Sequence, residues 1–442
     1  MSNNPLRRAI GGLAALPGDF YRFVSIDFFY WAAMASTLYT TVYLQEQGFS
    51  ALEIGSMSSA FTVIGIISPP LWGIASDKMR SVKKAFAICL AASAVFWFAL
   101  PYGIRWLSPL IVLLILPLYR FFVAPTNALL DSWIVRQCSG AGTVGYGPIR
   151  LWGSVGYAIV AFAYAVILRK ASINIVFFGY ALLSIPCVLI ALKTREAGDA
   201  TPLRPIPLRE MQFGRIFKTA PLMAYLIFNM SLYTPIMSSF TFLPFLLQDV
   251  GEKGAYMGMI MCAEALLEVP LLFFSARLIK RFKITNLVLL CACVYTLEMS
   301  LYATCRASWQ ILLVKCLHGL SYGLYLGCMV QYLHKLAPKG LSATVQTLSG
   351  VSTGLAGILG NLAGGAIINA FGVRVFFRGG GIMIFLSLAG YFIWLRTHKD
   401  ASGDNRGDSG DSYGVTLDNC CEATTYDAPD ADTPDADAPM ST

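Results

Sequence analysis

Twelve apolar runs follow one another along this chain, each roughly 20 residues long and so able to cross a hydrocarbon layer as a helix. The first six lie near 23–44, 54–75, 85–102, 110–130, 151–168 and 173–192. A polar, Pro-containing stretch follows at 193–218, then six more runs near 220–247, 256–276, 284–304, 310–333, 344–368 and 375–395. In lipid every backbone N–H and C=O must find a partner inside the protein, which a helix achieves on its own. The residues are 56% apolar and only 13% charged, with a mean hydropathy of +0.61. A soluble domain is about a quarter charged and has no core large enough to hide this much apolar surface. A cytosolic enzyme, a nucleic-acid binder and a disordered scaffold are therefore excluded. The expected fold is an all-α membrane protein, with twelve transmembrane helices in two six-helix halves.

The expected organisation is an N-terminal segment (1–22), a first half (23–192), a linker (193–219), a second half (220–396) and an acidic tail (397–442). Net charge is +8, but the residues after Arg396 hold 11 acids and 2 bases, so the body is strongly basic. Its bases gather in alternate loops, 23 on the side of the termini and linker against six on the other. The positive-inside rule then places both termini and the linker in the cytoplasm of a multi-pass plasma (inner) membrane protein. The N-terminus passes through Arg7, Arg8 and Arg22 into the first span without a cleavable signal pattern. The tail, with its Asp-Ala-Pro repeats, reads as disordered. A basic partner for it is one expectation and a plain solvating role another. Most of the 11 Cys lie inside the spans, and no Cys/His metal spacing occurs.

Ionisable residues within apolar spans are the strongest functional signal, because each is costly to bury unless paired. Span 4 carries Arg120 and ends at Asp131, with Asn127 one turn before, and Arg150 opens span 5. Span 8 holds Glu264 and Glu268, which share a face at i, i+4. Two carboxylates so placed repel each other, which makes one of them a candidate proton carrier. Glu298 lies in span 9. Lys315 and His318 lie one turn apart in span 10, with Tyr322 and Tyr325 continuing their face. Three acids, one Lys and one His on three consecutive spans suggest a polar cavity. Asp27 and Arg378 read as static buried or snorkelling residues. Glycines crowd spans 5 and 11 and suit close helix approach, static or moving. Pro69-Pro70 and Pro125 are expected to bend or break spans 2 and 4.

The loop after span 2 reads Gly73-Ile-Ala-Ser-Asp77-Lys78-Met-Arg80-Ser-Val-Lys83-Lys84. It resembles the cytoplasmic loop signature of the major facilitator superfamily, with Arg80 where that signature has a second Gly. Four further stretches are similar to the lactose-permease and phenylpropionate-permease branch of that superfamily. They are DFFYWAA with PPLWGIASDK, YGPIRLWGSVGYA, EALLEVPLLFFSARLIKRF, and KCLHGLSYGLYLGCMVQYL with the Gly-rich span 11. The resemblance covers about 20–396. It implies that Arg150 stands at a sugar-gripping arginine and Tyr157 at a sugar-stacking aromatic. Lys315 and His318 fall on charged positions of span 10. Ala128 replaces the branch's acid on span 4, with Asn127 or Asp131 as stand-ins. Ser321 replaces the acid after the His, and Glu298 replaces an arginine. Acids on spans 8 and 9 and bases on span 10 make a rewired charge network.

The expectation is secondary active transport by alternating access, as proton-coupled symport of a small organic solute. Sugars or glycosides rank first, nucleosides second and aromatic acids third. Asn127, Asp131, Arg150, Tyr157 and Tyr322 would face the substrate. Glu264, Glu268, Glu298, Lys315 and His318 would handle the proton, and Gly73, Asp77 and Lys78 form the conformational loop. No cofactor or metal is expected beyond a coupling ion, proton or sodium, and no enzymatic constellation stands out. The expected partners are the lipid bilayer and the solute, with no nucleic acid, and a monomer suffices. The rivals are sodium coupling through Asp27 or Asp131, efflux, and a non-transporting receptor that uses its tail.

Overall fold

The computed structural model describes residues 18–141, 146–196, 218–252, 254–338 and 341–398. By contact the chain divides into Met1–Asp411 and Ser412–Thr442, and the second unit lies outside the described residues. The acidic tail and the middle of the linker also lie outside them.

All regular structure among the described residues is helical. Span 1 is Gly18–Met34 and Thr40–Glu46, joined by a 3-10 segment at Ala35–Tyr39. At this break the hydroxyls of Thr37 and Thr40 donate to the carbonyls of Met34 and Thr37, each at 2.7 Å, competing with the helical ladder. Span 2, Ala51–Lys78, starts at a capping box, in which the Ser50 amide donates to Glu53 and the Glu53 amide to Ser50. Pro69 and Pro70 lie inside it, and just before them the Ser68 hydroxyl donates to the Phe121 carbonyl of span 4. Span 3 is Val82–Trp106. Span 4 runs from Pro109–Ile111 through Val112–Val123 to Thr126–Ala141, broken at Pro125 as the sequence suggests. Spans 5 and 6 are Tyr146–Ile167 and Ile175–Lys193.

The second half repeats the six-helix layout. Spans 7 to 12 are Ala220–Asp249, Tyr256–Arg281, Ile284–Tyr302, Ser308–Leu336, Ser342–Phe371 and Val373–Thr397. Among the described residues, ten of the twelve spans contain a stretch long and apolar enough to cross a membrane on its own. The other two are the broken span 1 and span 8, which carries Glu264 and Glu268.

Burial is inverted relative to a soluble protein. Phe178, Leu290, Phe385 and Leu386 are exposed, whereas Asp27, Glu298, Lys315 and His318 are 0–1% exposed. Such a molecule needs an apolar solvent around it.

The halves meet along two helix pairs, spans 2 with 11 and spans 5 with 8. Small residues permit the approach. A side chain on Gly55 would strike the Asn361 carbonyl, one on Gly365 the Ala51 carbonyl, and one on Gly258 the Ala161 carbonyl. These contacts lie toward the end of the bundle away from the linker. There the Gln45 amide also donates to Gln248 at 3.1 Å. Nearer the linker, Gly73 and Gly350 have nothing within 4 Å of where a Cβ would sit.

Candidate functional site

The second half brings four of the five charged residues expected there into contact. The Lys315 Nζ lies 3.3 Å from Glu264 Oε1. The His318 Nδ1 lies 3.0 and 3.1 Å from the two Glu298 oxygens. The other ring nitrogen, Nε2, sits 3.3 Å from Glu264 Oε1 but off the line of a hydrogen bond. His318 thus bridges a carboxylate of span 8 and one of span 9. Aromatic rings wall the cluster. Tyr322 stacks on the imidazole at 5.4 Å, and Phe240 meets it edge-on at 5.1 Å. The Lys315 ammonium lies 4.0 Å from the Phe240 ring centroid, in cation–π range. Gly319 lets span 10 lie against span 8, since a Cβ there would come within 2.9 Å of the Leu267 Cβ. Glu268 lies one turn below, within electrostatic reach of Glu264, His318, Lys315 and, from the other half, Arg150.

The first half contributes a second cluster. The Arg150 guanidinium lies over the Trp31 ring at 4.1 Å, and Trp31 meets Tyr157 edge-on at 6.5 Å. Asp27, one turn before Trp31, is wholly buried, and Arg150 and Asp131 both act on it electrostatically. Gly153 opens the space, because a Cβ there would run into Asp27 Oδ2 and Trp31 Cδ1. Tyr157 in turn feels Glu264 and Glu268, so the two clusters face one another across the halves. Asn127 is exposed, and its side chain has no hydrogen bond among the described residues. Arg120 turns from this cluster to span 2, where its Nε donates to the Phe61 carbonyl at 3.3 Å.

The signature loop borders a cavity of about 220 Å³ lined by Gly73, Asp77, Pro125, Ala128 and Arg136 among others. Lys78 ends span 2, and Arg80 adopts φ +49°, the left-handed region that glycine enters freely. The Gly usually found there in the signature therefore has a backbone reason.

Sequence reading set Asp27 down as a static buried residue and did not single out Trp31, Phe240 or Glu196. Asp27 and Trp31 share a helix face at i, i+4 inside the DFFYWAA stretch, which was the available signal. Phe240 carries no such signal, being one aromatic residue among many in an apolar span. Glu196, at the head of the linker, caps span 3 from outside. It accepts from the Ser81 hydroxyl at 2.5 Å and from the Val82 and Lys83 amides at 2.7 and 3.2 Å.

Residues 21–379 match the family model described as MFS_1 like family. The maltose permease of Geobacillus stearothermophilus is 27% identical over 383 residues, covering 85% of this chain and 92% of that one. The uncharacterized transporter YwbF of Bacillus subtilis (strain 168) is 25% identical over 361 residues, covering 80% and 87%. Among solved structures, the nucleoside transporter NupG superposes with a TM-score of 0.73 at 19% identity, covering 87% of this chain and 100% of that one. That superposition over nearly the whole of both chains shows that the two share a fold. The chain belongs to the MFS_1 like family, within the major facilitator superfamily of membrane transporters.

Proposed function

We propose that this chain is a proton-coupled symporter of a small organic solute, with sugars or glycosides ranked first, nucleosides second and aromatic acids third. The observation that carries this reading is the placement of His318. It is buried between Glu264 and Glu298, with Lys315 sharing Glu264. Three acids, with Glu268, face one Lys and one His, so one proton entering or leaving decides which pairs hold. The cluster faces Arg150, Trp31 and Tyr157 across the halves. A guanidinium beside aromatic rings suits a hydroxylated ring, by bidentate hydrogen bonds and stacking. The similarity to a maltose permease and to a nucleoside transporter supports the order of the first two solute classes.

In this reading solute binds between the halves, and the contact of spans 2 with 11 and 5 with 8 closes one end of its path. The chain works as a monomer in the plasma (inner) membrane, termini and linker in the cytoplasm, as the loop bases indicate. It carries out no bond chemistry, and its acidic tail is dispensable for flux.

The test is uphill uptake in proteoliposomes, with maltose and uridine as the first solutes and a proton gradient as the driving force. Wild type accumulates solute, and Glu268→Gln and Glu298→Gln abolish accumulation. Accumulation retained in both variants overturns the assignment of the proton to this cluster. Uptake that follows a sodium gradient and ignores pH overturns proton coupling.

A further inference from the structure

We propose that Asp27 is a second protonation site, in the first half, whose loss of a proton withdraws Arg150 from the solute path. Asp27 is wholly buried in span 1, and neither carboxyl oxygen has a hydrogen-bond partner. The Trp31 indole and the Gly153 amide lie nearby without reaching hydrogen-bond geometry. Arg150 on span 5 is the cation facing it, yet no salt bridge joins the two among the described residues. The guanidinium lies instead over Trp31, its Nη1 buried and also without a hydrogen bond. From span 4 Asp131 adds a second negative neighbour, and from span 6 the Cys187 thiol faces the same pocket. A bare carboxylate in such a place is among the costliest groups to bury, whereas a carboxylic acid is not. The geometry is that of a protonated Asp27 with Arg150 left available.

The reverse state is built into the same residues. When Asp27 gives its proton to water its carboxylate becomes an acceptor, and the idle Arg150 Nη1 becomes its donor. Gly153 leaves the gap through which the two can meet. Arg150 then leaves Trp31 and is lost to a solute. Only this consequence rests on the transport reading. The protonation and the movement of Arg150 do not.

The experiment needs no solute. Infrared spectra and Trp fluorescence of the full-length purified protein are recorded across pH, for wild type, Asp27→Asn, Asp131→Asn and Trp31→Phe. Wild type shows a protonated-carboxyl band in neutral buffer that survives in Asp131→Asn and is lost in Asp27→Asn. As that band titrates, Trp31 emission changes with the same midpoint, and this change is absent in Trp31→Phe and in Asp27→Asn. An unchanged band in Asp27→Asn, or a Trp31 signal that titrates alike in wild type and Asp27→Asn, overturns the proposal. Should Asp27→Asn not fold, the variant lacking Asp131, Glu264, Glu268 and Glu298 decides. A neutral-pH carboxyl band that persists there supports Asp27, and its disappearance overturns it. A protein with no proton-driven flux that keeps both signals sinks the symport reading and leaves this one standing.

Discussion

Arg80 shows how one backbone angle constrains one residue. Its φ of +49° is unfavourable for any side chain with a Cβ, and Gly removes the cost at the expense of a freer unfolded chain. We expect Arg80→Gly to leave the folded protein as stable or more stable, by up to about 1 kcal/mol. Arg80→Val, with a β-branched side chain, is expected to lose stability. Thermal unfolding in detergent compares the two, and a clear loss of stability in Arg80→Gly would show that the arginine side chain holds the loop. The buried cluster follows a different rule. His318 has a carboxylate near each ring nitrogen, and Lys315 has Glu264 and the face of Phe240. Spans 8, 9 and 10 are thereby tied through largely buried side chains.

At the scale of the element, helix termini and glycine contacts decide where the spans sit. Span 3 begins with amides that have no partner within the helix, and Glu196 supplies acceptors for two of them and for the Ser81 hydroxyl. The Lys83 ammonium returns a bond to the Thr194 carbonyl at 3.0 Å, so the end of span 6 is fastened to the start of span 3. Removing these acceptors in Glu196→Ala is expected to cost about 0.5–2 kcal/mol, the usual range for a lost cap. Hydrogen exchange at the Val82 and Lys83 amides should quicken with it. Exchange as slow as in wild type would mean that water or another group satisfies the helix start equally well. Glycines in span 5 serve the first half, Gly153 and Gly156 lying against span 1. Those of span 11 serve both kinds of contact, with Gly354 and Gly365 against span 2 and Gly360 against span 7 of its own half.

For the whole molecule, under the transport reading proposed above, the contacts between halves at the end away from the linker are the ones that alternating access would break. A Cβ on Gly254 would lie 3.0 Å from the Val42 Cβ, so a disulfide, which spans about 3.5–4.5 Å between Cβ atoms, forms there once the two backbones move slightly apart. In a background without the native cysteines, Val42→Cys with Gly254→Cys should cross-link on oxidation and stop flux. Reduction should restore flux, and Val42→Cys alone, which removes the methyls a Cβ on Gly254 would strike, should be unaffected. Full transport by the cross-linked protein would show that this end stays closed throughout the cycle.

Much of this architecture was legible without coordinates. Twelve runs of bilayer length and the break at Pro125 are local properties of sequence, set by hydropathy and by a missing N–H. So was the shortlist of Glu264, Glu298, Lys315 and His318, because a charge inside an apolar run stands out against its surroundings. What needed the tertiary structure is which of these groups meet. Asp27 reads along the chain as one more buried acid. It becomes a site residue because Gly153 of span 5 opens a space beside it and sets Arg150 and Trp31 there. Glu196 and Ser81 are 115 residues apart, and nothing in either neighbourhood announces their contact. Hydropathy acts residue by residue and is written in the sequence. The meeting of charges across helices depends on crossing angles and on which glycine lets which backbone approach, and folding settles those only when the whole bundle closes.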